Sequence, residues 1–175
     1  MTPPRLTRPD PSEYAPYFSR YVGLVPDGDI IAILEDQMVA TAGLLAGLTE
    51  AQGEHRYAPD KWTLKEVVSH VADGERVFCY RALRFARGDS TPLPGFDQDA
   101  WVPQAGCARR TLVGIAEELR SVRAATLTFV RSLDDAMAVR GGMASGGPMT
   151  VRALAYIMAG HELHHLKILR ERYLA

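Results

Sequence analysis

The chain has 175 residues, of which 47% are hydrophobic and 23% charged, and its formal net charge is −1. These values indicate one globular unit with a sizeable core, and the lack of a basic block argues against nucleic acid as a partner. No apolar run is long enough to span a membrane and the N-terminus has no signal-peptide core, so we expect a cytoplasmic protein without a membrane partner. The two cysteines, Cys79 and Cys107, are then expected to be reduced thiols.

Residues 1–28 form an N-terminal extension rich in aromatic side chains. Tyr14, Tyr17, Phe18 and Tyr21 recur at three- and four-residue spacing, which is typical of short helical turns. The segment is too aromatic for a disordered tail. We therefore predict that it packs on the main body of the protein.

The first two long helices are predicted from capping signals and apolar periodicity. One runs from about residue 29 to 48, with Asp29 or Asp27 as its cap. The second begins with the capping box Thr63–Glu66, preceded by Trp62, and continues to about Ala86. Its inward face carries His70 among apolar neighbours.

A long connection and two further helices complete the pattern. Residues 89–109 link the second helix to a third, at about 111–133, on which the charged residues Glu117, Glu118, Arg120, Arg123 and Arg131 are predicted to face away from the apolar seam. After a glycine-rich turn region, Thr150 caps a fourth helix that ends near Tyr173. No stretch alternates long enough to predict a sheet. The fold class is all-α, a four-helix bundle in one domain, residues 1–175.

The fourth helix carries three of the five histidines within six residues, 160–165. His161 and His165 are four residues apart and share the stripe of Leu154, Met158 and Leu169. Buried imidazole nitrogens need partners, and the spacing favours a divalent metal over hydrogen bonds to carbonyl groups. The letters also match the zinc-protease motif with Glu162 as base, but no third ligand follows and no strand is present to bind a peptide.

Three imidazoles can meet if the second and fourth helices are neighbours. His70 would join His161 and His165, a ligand set that suits zinc, nickel, copper or iron(II) and leaves an open coordination position. His164 points to another face and is interpreted as a flanking residue. Asp73 or Glu162, the candidate catalytic residues, could orient an imidazole, and Asp97, Asp99 and Trp101 could line the mouth of the pocket.

The pattern resembles the DinB-like superfamily of four-helix-bundle metalloenzymes. The segment from Trp62 to His70, the Pro-Gly-Phe-Asp-Gln-Asp-Ala-Trp connection and the segment 160–165 carry the resemblance, which extends from about residue 25 to the end. It implies His70, His161 and His165 as the ligands of zinc or nickel, and a homodimer. It also implies thiol-dependent S-transfer, with bacillithiol or mycothiol as the thiol, or related isomerisation or hydrolysis.

Three functions remain open on sequence alone. The first is a metal-dependent transferase that acts on a small molecule with a low-molecular-weight thiol. The second is a metal-dependent hydrolase that uses the same three ligands. The third is a non-catalytic, stress-associated metal-binding protein, for which the metal would be needed for folding. Four long helices supply a core without a metal, which favours a reactive site.

Overall fold

A computed structural model describes residues 6–175. Its long helices are α2 (Ile30–Ala46), α4 (Leu64–Ala86), α6 (Leu112–Arg131) and α8 (Val151–Ile168). Shorter helices are α1 (Ser19–Val22), α3 (Glu50–Gly53), α5 (Gln98–Trp101) and α7 (Asp135–Ala138), with 3₁₀ turns at Pro11–Glu13, Pro16–Phe18, Val102–Gln104 and Cys107–Arg109 and a π-helical turn at Leu169–Tyr173. The four-helix bundle is confirmed. Across residues 6–175, no helix combines the length and the apolar character that a membrane crossing requires.

The helices begin where the capping signals predict. The side chain of Asp29 accepts a hydrogen bond from the amide of Ile31, and the capping box of Thr63 and Glu66 is complete. Thr150 caps α8 through the amide of Ala153. These local bonds satisfy first-turn amides that have no partner within the helix, so the start sites follow from sequence.

A small β-hairpin corrects the prediction of a chain without strands. β1 (Gly141–Ala144) pairs antiparallel with β2 (Gly147–Thr150), with Gly141 opposite Thr150. The two-residue turn has positive φ at Ser145 and Gly146, as a tight hairpin requires. Four-residue strands rich in glycine carry no clear alternation, and tertiary packing forms the hairpin: a Cβ at Gly142 would lie only 2.5 Å from the ring of Phe85.

The order of the helices around the bundle differs from their order in the chain. Both α2 and α4 pack against α6 and α8, so α2 lies diagonally across from α4. Successive helices therefore do not simply neighbour one another as they do in an up-and-down bundle. The consequence for function is that α4 and α8, which carry the histidines, lie side by side.

A buried polar layer separates two apolar clusters of the core. The layer consists of Gln37, Thr41, Glu75, Arg123 and Glu162. The guanidinium of Arg123 donates to both carboxylate oxygens of Glu75 at 2.8 Å and to Glu162 at 2.6 Å. The prediction that Arg123 faces away from the seam is wrong, because its side chain is only 2% exposed and two carboxylates compensate its charge. Burial by itself would lower the pKa of Arg123, but the two carboxylates have the larger effect and raise the pKa above its ordinary value, so the guanidinium stays charged.

The aromatic extension lies on the bundle. Tyr14, Phe18 and Tyr21 are buried in the same apolar cluster as the adjoining faces of α4 and α8. Its close approach depends on Gly160, where a Cβ would lie 2.0 Å from the carbonyl oxygen of Tyr21. Residues 1–5 of the predicted extension lie outside the described residues.

Candidate metal centre

The three predicted ligands meet at one point. Nε2 of His161 lies 3.1 Å from Nε2 of His70 and 3.2 Å from Nε2 of His165. Among residues 6–175 these are the side chains that form a cluster suited to a metal, with all three ligand atoms within 4.8 Å of one another. We call His70, His161 and His165 the histidine triad.

The spacing of the triad fits a divalent cation. Zinc–imidazole bonds of 2.0–2.1 Å in tetrahedral geometry place two ligand nitrogens about 3.3 Å apart. The separations of 3.1 and 3.2 Å are close to that value. Hydrogen bonds between the rings satisfy these nitrogens less completely than a metal does. Each neutral imidazole has only one N–H, and His161 Nε2 faces two other Nε2 atoms. Three imidazoles with no fourth protein ligand are typical of reactive rather than structural sites.

Burial keeps the triad neutral, which is the form that binds a metal. Desolvation lowers the pKa of His70 to about 4, with Asp99 opposing the shift. It lowers the pKa of His165 to about 3 and that of His161 well below its ordinary value, and the neighbouring imidazoles lower both further. A cation can therefore bind near neutral pH without first displacing protons from the rings.

The surroundings fix the rings. Gly74, one turn after His70 on α4, makes room for His161, because a Cβ there would lie 2.8 Å from Cε1 of that ring. Tyr21 and Phe78 contact His161 edge-on, with ring centres 5.3 and 5.5 Å away. Trp62, which directly precedes the predicted start of this helix, packs on His70 with the ring centres 5.0 Å apart. These contacts hold the triad in one arrangement.

The remaining predicted residues have other surroundings. His164 is half-buried against Tyr21 and lies outside the triad, as predicted for a flanking residue. Glu162 faces the polar layer, where Thr41 and Arg123 donate to its two oxygens. Asp73 pairs with Arg76 at 3.1 Å. Within residues 6–175, neither carboxylate is hydrogen-bonded to an imidazole of the triad.

Two clefts reach the triad through different histidines. One, of about 530 Å³, is lined by His161 together with Tyr21, Phe78, Arg81 and Ser145. We call it the His161 cleft. The second, of about 520 Å³, is lined by His165, Trp62 and Asp99 and is called the His165 cleft.

The long connection contributes to both clefts. Asp99 lines the His165 cleft, whereas Asp97 caps α5 through the amides of Asp99 and Ala100. Trp101 stacks on Phe96 at 4.9 Å, and Phe96 lines the His161 cleft. Of the three residues predicted to line the mouth of the pocket, Asp99 lines one of the two clefts, whereas Asp97 and Trp101 line neither.

Arg81 and Ser145 line the His161 cleft but are missing from the sequence-based candidates. Arg81 follows His70 by eleven residues, about three helical turns, so it returns to the same face of α4. This spacing could have identified Arg81 as a site residue from the sequence. Ser145 had no signal, because it reaches the cleft through the hairpin turn.

The cysteines show no features of a nucleophile. Burial raises the pKa of both Cys79 and Cys107, which lowers the thiolate fraction of each. Cys107 is buried in a short 3₁₀ turn.

The bundle and its three-histidine site define the class of protein. The chain belongs to the DinB superfamily, whose family model matches residues 33–169. A provisionally named metal-dependent hydrolase of Oceanobacillus iheyensis is 25% identical over 122 residues, covering 68% of this chain and 69% of that protein.

Two solved structures share the fold. YfiT from Bacillus subtilis, described as a probable metal-dependent hydrolase with an unusual four-helix bundle topology, matches with a TM-score of 0.72 and 19% identity. The match covers 87% of this chain and 97% of that one. A mycothiol-dependent maleylpyruvate isomerase matches with a TM-score of 0.64 and 15% identity, over 83% of this chain and 61% of that longer one.

Proposed function

We propose that the protein is a metal-dependent enzyme in which the histidine triad holds zinc or nickel and a low-molecular-weight thiol attacks a small electrophilic substrate. The observation that carries the proposal is the convergence of three neutral Nε2 atoms within 4.8 Å. A divalent ion held there lowers the pKa of a thiol or water that it binds. The mycothiol dependence of the isomerase with the same fold is consistent with a thiol as the reactant.

The two clefts support a reaction with two substrates. The His161 cleft and the His165 cleft have nearly equal volumes, each enough for a small molecule. Since they reach the triad through different histidines, the thiol and the electrophile could each occupy one cleft. A hydrolase needs only one organic substrate and would leave one cleft without an organic occupant.

The chain's own residues orient the reactants and limit access of water. Tyr21, Phe78 and Trp62 form apolar walls around the imidazoles. Asp99 lines the His165 cleft, where its carboxylate is available to accept a proton from the attacking thiol. Glu162 is already bonded to Arg123 and Thr41, so its role in this proposal is to anchor α8 and not to move protons.

Hydrolysis is the second candidate. It is favoured by the descriptions of the Oceanobacillus relative and of YfiT as metal-dependent hydrolases. The same three ligands would serve, with water as the nucleophile. Labelled water separates the two candidates, because hydrolysis places oxygen from water in the product and thiol transfer places sulfur there.

The first experiment measures metal content. We expect about one zinc or nickel ion per chain by elemental analysis and none in a variant with His161→Ala and His165→Ala. The matched control is His164→Ala, which removes an imidazole on the same helix outside the triad and should keep the metal. Equal metal content in the double variant and the control would refute the site.

The second experiment tests activity and the role of the metal in folding. The metal-loaded protein should convert an electrophile such as an epoxide or a maleyl compound only when a thiol is supplied, and chelation should abolish the reaction. The chelated protein should retain its helical circular dichroism, since four long helices already bury a core. Loss of helical structure on chelation would instead support the non-catalytic, structural role.

A homodimer is also proposed. An apolar groove between α4 and α6 includes the exposed side chains of Tyr80 and Leu83, which offer a contact surface for a second copy. Light scattering on the purified protein should give twice the mass of the chain, and a monomer at all accessible concentrations would exclude it.

A further inference from the structure

Arg81 is a buried cation without a buried carboxylate. Its side chain is among the largest that are fully buried, with the residue 2% exposed. One terminal nitrogen donates to the carbonyl of Pro94 at 2.8 Å and to Oγ of Ser145 at 2.9 Å. The other, Nη1, has no hydrogen-bond partner within residues 6–175, and no acidic side chain in that range forms a salt bridge with Arg81.

The contrast with Arg123 shows why this is unusual. Arg123 is buried to a similar degree, but Glu75 and Glu162 compensate its charge. A buried charge without a counter-charge is costly, and proteins normally pair it. Arg81 therefore lacks the anion that its position calls for.

The His161 cleft runs from Arg81 to the histidine triad. Both residues line it, and Phe78 lies between them. The ring centre of Phe78 is 5.5 Å from that of His161 and 5.9 Å from the guanidinium carbon of Arg81, so the two groups are at most the sum of these distances apart, about 11 Å. A molecule of six to ten heavy atoms spans that interval.

Ser145 adds a second donor at the same end of the cleft. Its Oγ accepts a hydrogen bond from Arg81, which leaves its own O–H free to donate. The residue is held there by the tight turn of the hairpin, with φ of 53°. A non-glycine residue with positive φ carries a conformational cost that the hairpin must support.

The walls between the two ends are aromatic. The ring centre of Phe96 lies 6.0 Å from the guanidinium carbon of Arg81, and Tyr17, Phe18 and Tyr21 also line the cleft, together with Ala15, Gly95 and Gln98. Such walls accept carbon chains and rings, and their polar groups are the hydroxyls of Tyr17 and Tyr21 and the side-chain amide of Gln98. A carboxylate oxygen can accept from Nη1 of Arg81, the guanidinium nitrogen without a partner in residues 6–175, and the neighbouring hydroxyl of Ser145 supplies a further donor.

We propose that the His161 cleft binds a small organic carboxylate, with its carboxylate group at Arg81 and Ser145 and its reactive end toward the triad. This inference specifies the substrate class for the function proposed above and rests on that function for the meaning of the reactive end. Binding of the carboxylate itself requires no metal, so the two proposals fail separately.

The experiment is calorimetric titration of the chelated protein with hexanoate, with hexanamide as its neutral counterpart. Hexanoate should bind at least about tenfold more tightly than hexanamide, the difference expected when a charge-assisted hydrogen bond is lost. Inorganic phosphate should bind more weakly than hexanoate. Equal affinities for hexanoate and hexanamide, or tighter binding of phosphate, would overturn the proposal.

Variants assign the binding to this cleft. Arg81→Met should reduce hexanoate affinity to that of hexanamide, and Arg81→Lys should retain part of the difference because it keeps the charge. Ser145→Ala, at an exposed turn, should fold normally and weaken hexanoate binding several-fold while leaving hexanamide unchanged. If Arg81→Met does not fold, the Ser145→Ala variant and the comparison of hexanoate with hexanamide in the wild-type protein test the assignment instead. Wild-type affinity in a folded Arg81→Met protein would refute the assignment.

A further arm identifies which reactant carries the carboxylate. With metal restored, 6-mercaptohexanoate places a thiol at the far end of the same chain. Tighter binding than hexanoate indicates that the thiol reactant occupies the His161 cleft, and no gain indicates the electrophile. Either result supports a carboxylate site, whereas loss of binding for both compounds in the metal-loaded protein would contradict it.

Discussion

Substituting Gly74 by alanine tests whether the packing of α4 against α8 sets the geometry of the metal site. The new Cβ would lie 2.8 Å from Cε1 and 3.3 Å from Nδ1 of His161. An ordinary contact begins at 3.4 Å, so the ring must retreat by the difference from 2.8 Å, about 0.6 Å. His161 has little room to do so, because Tyr21 and Phe78 pack against it.

The magnitude follows from the tolerance of metal–ligand bonds. Ligand distances in functional sites agree with the expected values to about 0.2 Å, so a shift of about 0.6 Å at one of three ligands exceeds what the site can absorb. We expect Gly74→Ala to lower metal affinity by about 10- to 100-fold. Overpacking should also destabilise the bundle by about 1–3 kcal/mol, offset by about 1 kcal/mol of helix propensity.

Competition dialysis against a chelator of known affinity for zinc or nickel measures the effect. The matched control is Gly43→Ala on α2, an exposed helical position where a Cβ meets nothing within 4 Å. It should bind metal as the wild type does and be slightly more stable. If Gly74→Ala binds metal with wild-type affinity, the idea that this contact positions His161 is wrong.

Three further predictions concern the bundle and its extension. Arg123→Leu removes the only cation of the polar layer and leaves two carboxylates buried. It should lower the free energy of unfolding, measured by urea denaturation, by about 3–5 kcal/mol. The exposed control Arg120→Leu should change that free energy by less than about 0.5 kcal/mol. Gly160→Ala should push the N-terminal extension off α8 and speed its removal by limited proteolysis, with Gly43→Ala unchanged, and equal cleavage rates would refute the close packing. A hydrogen bond from Arg152 holds the pKa of Glu13 below its ordinary value of 4.5. This anchor of the extension should therefore be intact above pH 4.5 and be lost as the pH falls through the folded-state pKa of Glu13. In the Glu13→Gln variant, the protease should remove the extension rapidly at all pH values.

The helices and the inward-facing histidines could be predicted because their signals are local. Caps at Asp29, Thr63 and Thr150 are formed by residues within a few positions of the helix starts. The pair His161 and His165 shares a face by helical periodicity alone, and apolar neighbours marked it as inward. The spacing of residues within single segments therefore predicted both the four-helix bundle and a metal site.

Other features depended on contacts between distant segments. Arg123 has the pattern of a surface residue in its own helix, and only the approach of Glu75 and Glu162 makes its burial possible. The hairpin at 141–150 exists because it packs on α4 and the extension, and its sequence lacks strand alternation.

The sequence alone determined which residues are candidates to bind a metal, since imidazole chemistry and helical spacing are properties of single segments. Only the tertiary structure decided that α4 lies beside α8, which brings His70 to within 3.1 Å of His161. It also decided that Arg81 and Ser145 share a cleft with the triad. The physical reason is that neighbouring helices are chosen by the fit of whole faces across the core, a collective property that no single segment encodes.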